Sequence, residues 1–289
     1  MRAPKGRSVS SHRVEVEFNR YCRRVVSGGD DPLLSQAIPL AGGSRPGVVR
    51  VGDTVRRPSN AWTTSVHSLL RHLERTGFPY SPRVVGFDDD GREMLRFIPG
   101  RVATTRPWPP EVWAESTLLQ IGRIIRQLHD SVRDFAEPED ACWQFQDRDH
   151  AKDEVICHND VGVTNIVLDD RSHVVELIDW DCAGPGDPID DVAHAAWWFV
   201  PLVDPALRSR IGAPSADLET ARLAILADAY GELDPALLGA RVRSVVASRL
   251  VTARRGIASR HPAFVALDAR GYTTDLVNTL AYLDHRLVR

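Results

Sequence analysis

The segment Cys157-His158-Asn159-Asp160-Val161-Gly162-Val163-Thr164-Asn165 lies between two short apolar stretches, Val155-Ile156 and Ile166-Val167-Leu168. It is therefore a loop whose two ends are pinned by buried strands. Asp169-Asp170-Arg171-Ser172 reads as a polar turn, and the run Val174-Val175-Glu176-Leu177-Ile178 behind it returns antiparallel to Ile166-Val167-Leu168. That hairpin carries Asp179 back beside Asn165. Asp160, Asn165 and Asp179 are the side-chain types that a magnesium-dependent phosphoryl transfer uses: one carboxylate to orient an attacking hydroxyl, and an amide plus a carboxylate to hold a hard cation through oxygen. A lone Asp in a loop is ordinarily a turn or cap residue. Asp, Asn and Asp at both ends of one apolar hairpin are a more demanding pattern.

Three motifs follow one another: His158-Asn159-Asp160 with Asn165, then Ile178-Asp179-Trp180-Asp181, then Gly186-Asp187-Pro188-Ile189-Asp190-Asp191-Val192-Ala193. Together they resemble the aminoglycoside phosphotransferase family of the protein-kinase-like superfamily, over about Leu40 to Tyr230. The commoner glycine of the first triplet is Asn159 here. The resemblance implies an α+β, protein-kinase-like two-lobe fold, with a small β-rich N-lobe and a mainly helical C-lobe. It implies Asp160 as the catalytic aspartate, Asn165 and Asp179 as Mg2+ ligands, and His158 as a buried support for the loop. Asp187 and Asp191 would steady the catalytic loop and the start of the next helix.

Length and composition suit such a fold. At 289 residues and 43% hydrophobic, the chain can bury the core of two lobes. A net charge of -3 argues against a nucleic-acid binder. No apolar run approaches the roughly 18 residues of a membrane span, and the basic start Met1 to Ser8 lacks the apolar core of a secretory signal. Cytoplasmic residence is the expectation. Cys22, Cys142, Cys157 and Cys182 show no Cys-x-x-Cys spacing, so neither a zinc site nor a disulfide framework is suggested.

Residues 1–35 are expected to be an extension, partly disordered; 36–98 the small nucleotide-binding lobe; and 99–289 the large catalytic and substrate-binding lobe. Gly52-Asp53, between β-branched runs, signals a hairpin. Gly42 and Gly43, with Gly47, would let backbone amides approach phosphate oxygens. No Gly-x-x-x-x-Gly-Lys-Ser/Thr is present, which removes the P-loop class. The family expects a basic residue on the third strand as phosphate clamp, yet the lysines are Lys5 and Lys152. With a turn at Gly52-Asp53, Val48, Arg50, Val55 and Arg57 share one face, which makes Arg57 the first candidate and Arg50 the second. Such a clamp ordinarily has a Glu partner on the next helix. The helix expected over Thr63 to Arg75 offers Val66 or His67 there, and the first acid after Arg57 is Glu74. Met94 to Gly100 reads as a strand ending on Pro-Gly, as the lobe-to-lobe hinge does in the family, so the resemblance implies that the backbone of Phe97, Ile98 and Pro99 meets the purine edge.

Beyond the motifs the chain is less explicit. Leu118, Ile121, Ile125 and Leu128 give the segment Glu111 to Asp130 a helical period. His129 reads as a capping or packing residue. From Asp181 onward, thirteen acidic residues balance twelve arginines, so no surplus of negative charge advertises a polycationic acceptor. Trp197-Trp198 read as packing, and the arginines at 241, 243, 249, 254, 255 and 260 as a solvated helix face. The function expected is transfer of the γ-phosphoryl of ATP or GTP to a small-molecule hydroxyl, with Mg2+ and with neither nucleic acid nor membrane as partner. Two other readings stay open: a non-catalytic nucleotide-binding scaffold, and a metal-dependent hydrolase built on the same cluster.

Overall fold

The computed structural model describes residues 37–40, 47–145, 154–231 and 233–287. The expected extension, residues 1–35, lies outside the described residues, as do Gly42 and Gly43. The chain divides into two compact units. One runs to Ser59 and resumes at Val85–Phe97; the other comprises Asn60–Val84 and Ile98–Arg289. Asn60–Val84, drawn from sequence into the smaller lobe, groups here with the larger unit.

The smaller unit is built on strands β1 (Ile38–Pro39), β2 (Val49–Val51), β3 (Thr54–Arg57), β4 (Val84–Phe87) and β5 (Glu93–Arg96). They form one sheet in the order β1-β2-β3-β5-β4. Val51 pairs with Thr54, so Gly52-Asp53 is the two-residue turn between β2 and β3, and Gly52 takes the positive φ of 60° that such a turn requires of its first residue. Arg50 stands opposite Val55, and Arg57 opposite Glu93 of β5. The alternate positions Val49 and Val51 are buried with Ala37 packed against them.

The larger unit opens with α1 (Thr63–Arg75), the helix expected from sequence, whose Val66, Leu69, Leu70 and Leu73 are buried at the helical period. In α2 (Glu115–Ser131), Leu118, Ile121, Ile125 and Leu128 are likewise buried. Two small ladders follow. Strand β6 (Val155–Cys157) pairs antiparallel with β9 (Gly184–Gly186), and β7 (Ile166–Leu168) with β8 (Val174–Leu177). The second is the hairpin expected from the apolar runs. The first was not expected, because Gly-Pro-Gly carries no strand propensity of its own and is placed by its pairing. After Pro99-Gly100, Arg101 bridges Leu168 through two backbone hydrogen bonds, of 2.8 and 2.9 Å.

That bridge sets the requirement at Gly100. A Cβ there would stand 2.4 Å from Val167 Cγ1 and 2.8 Å from the Leu168 carbonyl oxygen, inside van der Waals contact with backbone that the bridge holds in place. Gly100→Ala is expected to destabilise the protein by about 1–3 kcal/mol. A urea unfolding midpoint unchanged from wild type would contradict it.

The remaining helices are α3 (Pro188–Phe199), α4 (Pro205–Ile211), α5 (Glu219–Tyr230), α6 (Pro235–Ala258), α7 (Pro262–Asp268) and α8 (Tyr272–Leu287). Three begin with the same device. Asp187, Asp204 and Asp234 each accept a backbone N–H two residues on, and each is followed by Pro at the first helical position, where no donor is needed. Helix α2 packs on α5, and α6 lies between α3 and α8.

Candidate active site

His158 to Asn165 forms a tight loop between β6 and β7, held from beneath by Asp191 of α3. The fully buried Asp191 carboxylate accepts the backbone N–H of His158 at 2.9 Å and of Asn159 at 2.8 Å, and meets His129 Nε2 at 3.2 Å. Burial raises its carboxyl, but His129, His158 and the amide donor outweigh that and hold it below the ordinary aspartate value. His129 closes the other side on the Tyr230 hydroxyl at 2.9 Å. The two aspartates expected to be structural thus occupy those places: Asp191 binds the loop, and Asp187 caps α3.

Asn159 has φ of 61°, in the left-handed region that glycine favours and that Asn tolerates best among other residues. Its amide repays the strain by donating to the carbonyls of Cys182 at 3.2 Å and Gly184 at 3.1 Å. The departure from the commoner glycine therefore fastens the loop to the start of β9. His158 is fully buried, with its ring 4.6 Å from Trp180. Its Nδ1 accepts the Asp160 N–H at 3.3 Å and its Nε2 donates to Ile178 O at 3.2 Å, so one imidazole ties the loop to the end of β8. Burial pushes its pKa down, and the ring is the neutral Nε2–H tautomer.

Asp160 is presented from this loop, partly exposed. Its Oδ2 accepts Asn165 Nδ2 at 2.7 Å, and the same amide donates to the Asp160 backbone carbonyl at 2.8 Å. Its Oδ1 faces Arg249 Nη2 at 3.1 Å and His194 Nε2 at 3.5 Å. Burial raises the carboxyl, but Arg249 first, then His194, His158 and the Asn165 amide, bring it below the ordinary value, so it is ionised at neutral pH. Asn165 turns its amide oxygen the other way, 3.4 Å from Thr164 Oγ1. The Ile178 N–H donates to Asn165 O at 2.9 Å, and Asp179 follows immediately with φ of 62°, a second non-glycine residue in the left-handed region. The hairpin thus brings Asp179 to the strand end beside Asn165. An amide oxygen and a carboxylate are hard-oxygen donors of the kind that suits Mg2+, which takes few protein ligands and keeps its waters.

Arg249 is the residue that sequence reasoning missed. It was expected on a solvated helix face, yet its guanidinium reaches both the Asn159 carbonyl and the Asp160 carboxylate from α6. Arg241 and Arg243 of the same run pair with Asp187, Asp190 and Asp284. A helical period cannot tell a solvated arginine from one meeting a carboxylate some ninety residues earlier. Tyr272, at the start of α8, lies near enough to feel both Arg249 and Asp160, and burial raises its hydroxyl pKa. Trp198 lies against Gly162, 3.4 Å from where a Cβ would be.

His194 carries a pH signature. Its Nδ1 donates to Val161 O at 3.2 Å. Burial, reinforced by Arg249, pushes its pKa down to about 4. Because the folded value lies below the unfolded one, its contribution to stability is fully present above about pH 6.5 and is lost as pH falls through about 4. Stability is expected to drop by roughly 1–3 kcal/mol between pH 7 and 4 from this group. His194→Gln should flatten that slope in urea titrations; an unaltered slope would refute the assignment.

In the smaller unit, Arg57 forms an ion pair with Glu93, and both are buried. The helix was expected to offer no carboxylate at this place, and the β3–β5 register supplies one 36 positions away, from a strand. Arg50 donates to the Gly52 carbonyl at 2.9 Å and stacks 3.8 Å over the Phe97 ring, so it is engaged at the turn. The Phe97 N–H donates to Asp53 O at 2.7 Å. Ile98, at the start of the larger unit's second segment, is half-buried, and Pro99 is exposed.

The profile of the phosphotransferase enzyme family matches residues 132–226, which contain the whole loop, hairpin and α3. The trifolitoxin immunity protein of Rhizobium leguminosarum bv. trifolii is 38% identical over 203 residues, 68% of this chain and 75% of that one. Among solved structures, an aminoglycoside 2'-phosphotransferase-IIIa in its GDP complex superposes with a TM-score of 0.57 at 15% identity, covering 90% of this chain and 99% of that one. A choline/ethanolamine kinase family protein from Mesorhizobium loti gives 0.55 at 17% identity, covering 92% and 98%. Those two likenesses show the protein-kinase-like fold, here with a small antiparallel sheet and a helical remainder. The chain belongs to the phosphotransferase enzyme family, in the aminoglycoside phosphotransferase group of the protein-kinase-like superfamily.

Proposed function

We propose that the protein transfers the γ-phosphoryl group of ATP or GTP to a hydroxyl of a small molecule. The observation that carries this reading is the Asp160 carboxylate, ionised and oriented by Asn165 on a loop that Asp191 holds from below. In the reaction the acceptor oxygen forms a bond to the γ-phosphorus while the bond from that phosphorus to the β–γ bridging oxygen breaks, leaving the nucleoside diphosphate. Asp160 accepts or orients the hydroxyl proton. Asn165 and Asp179 would hold Mg2+, which when bound neutralises charge on the β and γ phosphates. Arg57, kept in place by Glu93, is the proposed phosphate-binding cation of the smaller unit, with Arg50, Gly42 and Gly43 as further candidates. The backbone from Phe97 to Pro99 is proposed to bind the purine.

Membership of a phosphotransferase family supports the reaction class, and the GDP complex of the aminoglycoside 2'-phosphotransferase supports a purine nucleotide as donor. No helix among the described residues is long and apolar enough to cross a membrane. A cytoplasmic site of action fits this reading. The test is release of diphosphate from γ-labelled ATP and GTP, with Mg2+ and with a chelator, in a screen of hydroxyl compounds. Label appearing on a small-molecule acceptor only with Mg2+ is the expected result. Label found on water alone, with every acceptor inert, would favour a hydrolase instead.

A further inference from the structure

The residue beside the catalytic carboxylate is a cation, and this bears on what can be phosphorylated. Arg249 Nη2 makes both oxygen contacts of that guanidinium among the described residues, to Asn159 O and Asp160 Oδ1. The guanidinium also meets the Cys182 thiol, but it carries five N–H donors and its side chain is 22% exposed, so donors remain within reach of solvent. Asp160 Oδ2 accepts from Asn165 and Oδ1 from Arg249, and each oxygen keeps a lone pair, so an acceptor hydroxyl that takes the free lone pair of Oδ1 lies beside Arg249. The groups that act on that carboxylate are Arg249, His194, His158 and Asn165, with Tyr272 further out, and the other carboxylate of the centre, Asp179, is the one proposed above to hold Mg2+. A polycationic acceptor would bring its ammonium groups against a fixed guanidinium. Several acids of the C-terminal helices are already paired: Asp187 and Asp190 with Arg241, Glu219 with Arg208 and Arg286, Asp275 with Arg210.

We propose that the acceptor is an anion, a hydroxyl compound with a carboxylate or phosphate close to the reacting oxygen, and that Arg249 binds that group. The inference rests on the phosphotransfer reading above. The acceptor's oxyanion takes the outer edge of the Arg249 fork while its hydroxyl donates to Asp160 Oδ1. One guanidinium then sets the acceptor's register against the carboxylate that handles its proton. The transfer itself is unchanged: the acceptor oxygen bonds to the γ-phosphorus, the diphosphate leaves, and the proton passes to Asp160 and then to solvent.

The experiment is thermal unfolding of the full chain in saturating Mg–ADP or Mg–GDP, titrated at constant ionic strength with glycerate, glycerol 3-phosphate, glycerol or kanamycin. Wild type should be stabilised by at least one of the two anions and by neither glycerol nor kanamycin. Arg249→Gln should weaken the anion's apparent affinity about tenfold or more while keeping the shift caused by Mg–nucleotide, and Arg249→Lys should recover part of it. The proposal is overturned if kanamycin stabilises wild type, if neither anion does, or if the anion shift survives in Arg249→Gln. Should Arg249→Gln fail to fold, the ranking of anion over polycation in wild type still decides. Absence of any Mg–nucleotide shift in wild type would instead count against the phosphotransfer reading, and the two failures are thereby told apart.

Discussion

Asp160→Asn is expected to lower phosphoryl transfer by about two to four orders of magnitude while Mg-dependent nucleotide binding is retained. The substitution keeps the shape of the side chain and removes both its charge and its ability to accept a proton. It also breaks the local pairing. Asp160 now offers an acceptor oxygen to Asn165 Nδ2 on one side and to Arg249 on the other. An amide has one acceptor and one donor, so one of those two donors would face an NH2 group. The variant should therefore be destabilised as well, by about 1–3 kcal/mol. A single-turnover assay and a urea titration separate the two effects. Equal turnover in the variant and wild type would remove Asp160 from the reaction.

Asp191→Ala is expected to have the largest effect on stability, about 3–5 kcal/mol. The carboxylate is fully buried and meets three donors, two of them backbone N–H groups of the catalytic loop. Deleting it strands those donors in a fully buried site. Against a typical total of roughly 5–15 kcal/mol, that loss lowers the unfolding midpoint by about 10 °C or more. Because the donors belong to His158 and Asn159, catalysis should fall along with stability. Asp191→Asn, which keeps one acceptor, should lie between. A variant as stable as wild type would mean that the loop is held by other contacts.

Much of this centre was legible in the sequence because it is local. The loop, the hairpin from Ile166 to Leu177, the turn at Gly52-Asp53 and the helix Thr63–Arg75 all follow from apolar period and turn chemistry within a few residues. Asp160 meets Asn165 within one loop, and a short hairpin returns the chain at Ile178 to Asn165, so Asp179 follows at the same strand end. The features that stayed hidden depend on partners distant in the chain. Glu93 meets Arg57 through sheet register, and Arg249 meets Asp160 through the packing of α6 against α3. The strand β9 was hidden for a related reason, since Gly184-Pro185-Gly186 becomes extended by pairing with β6.

The correction at Arg57 bears on function. The sequence offers Val66 or His67 at the place on the helix after the third strand where such a base ordinarily finds its Glu partner. With Glu93 buried directly opposite, the guanidinium has a carboxylate partner. What differs from the expected pattern is the source of the carboxylate, a strand in place of a helix.

The most direct test of the account is thermal unfolding of wild type and Asp179→Asn with ATP or GTP, each with and without Mg2+. A ligand at a hundred times its dissociation constant stabilises by roughly 2.7 kcal/mol, which is readily measured. The account predicts a Mg-dependent shift in wild type that Asp179→Asn loses. A shift that ignores Mg2+, or one that persists undiminished in Asp179→Asn, would contradict it.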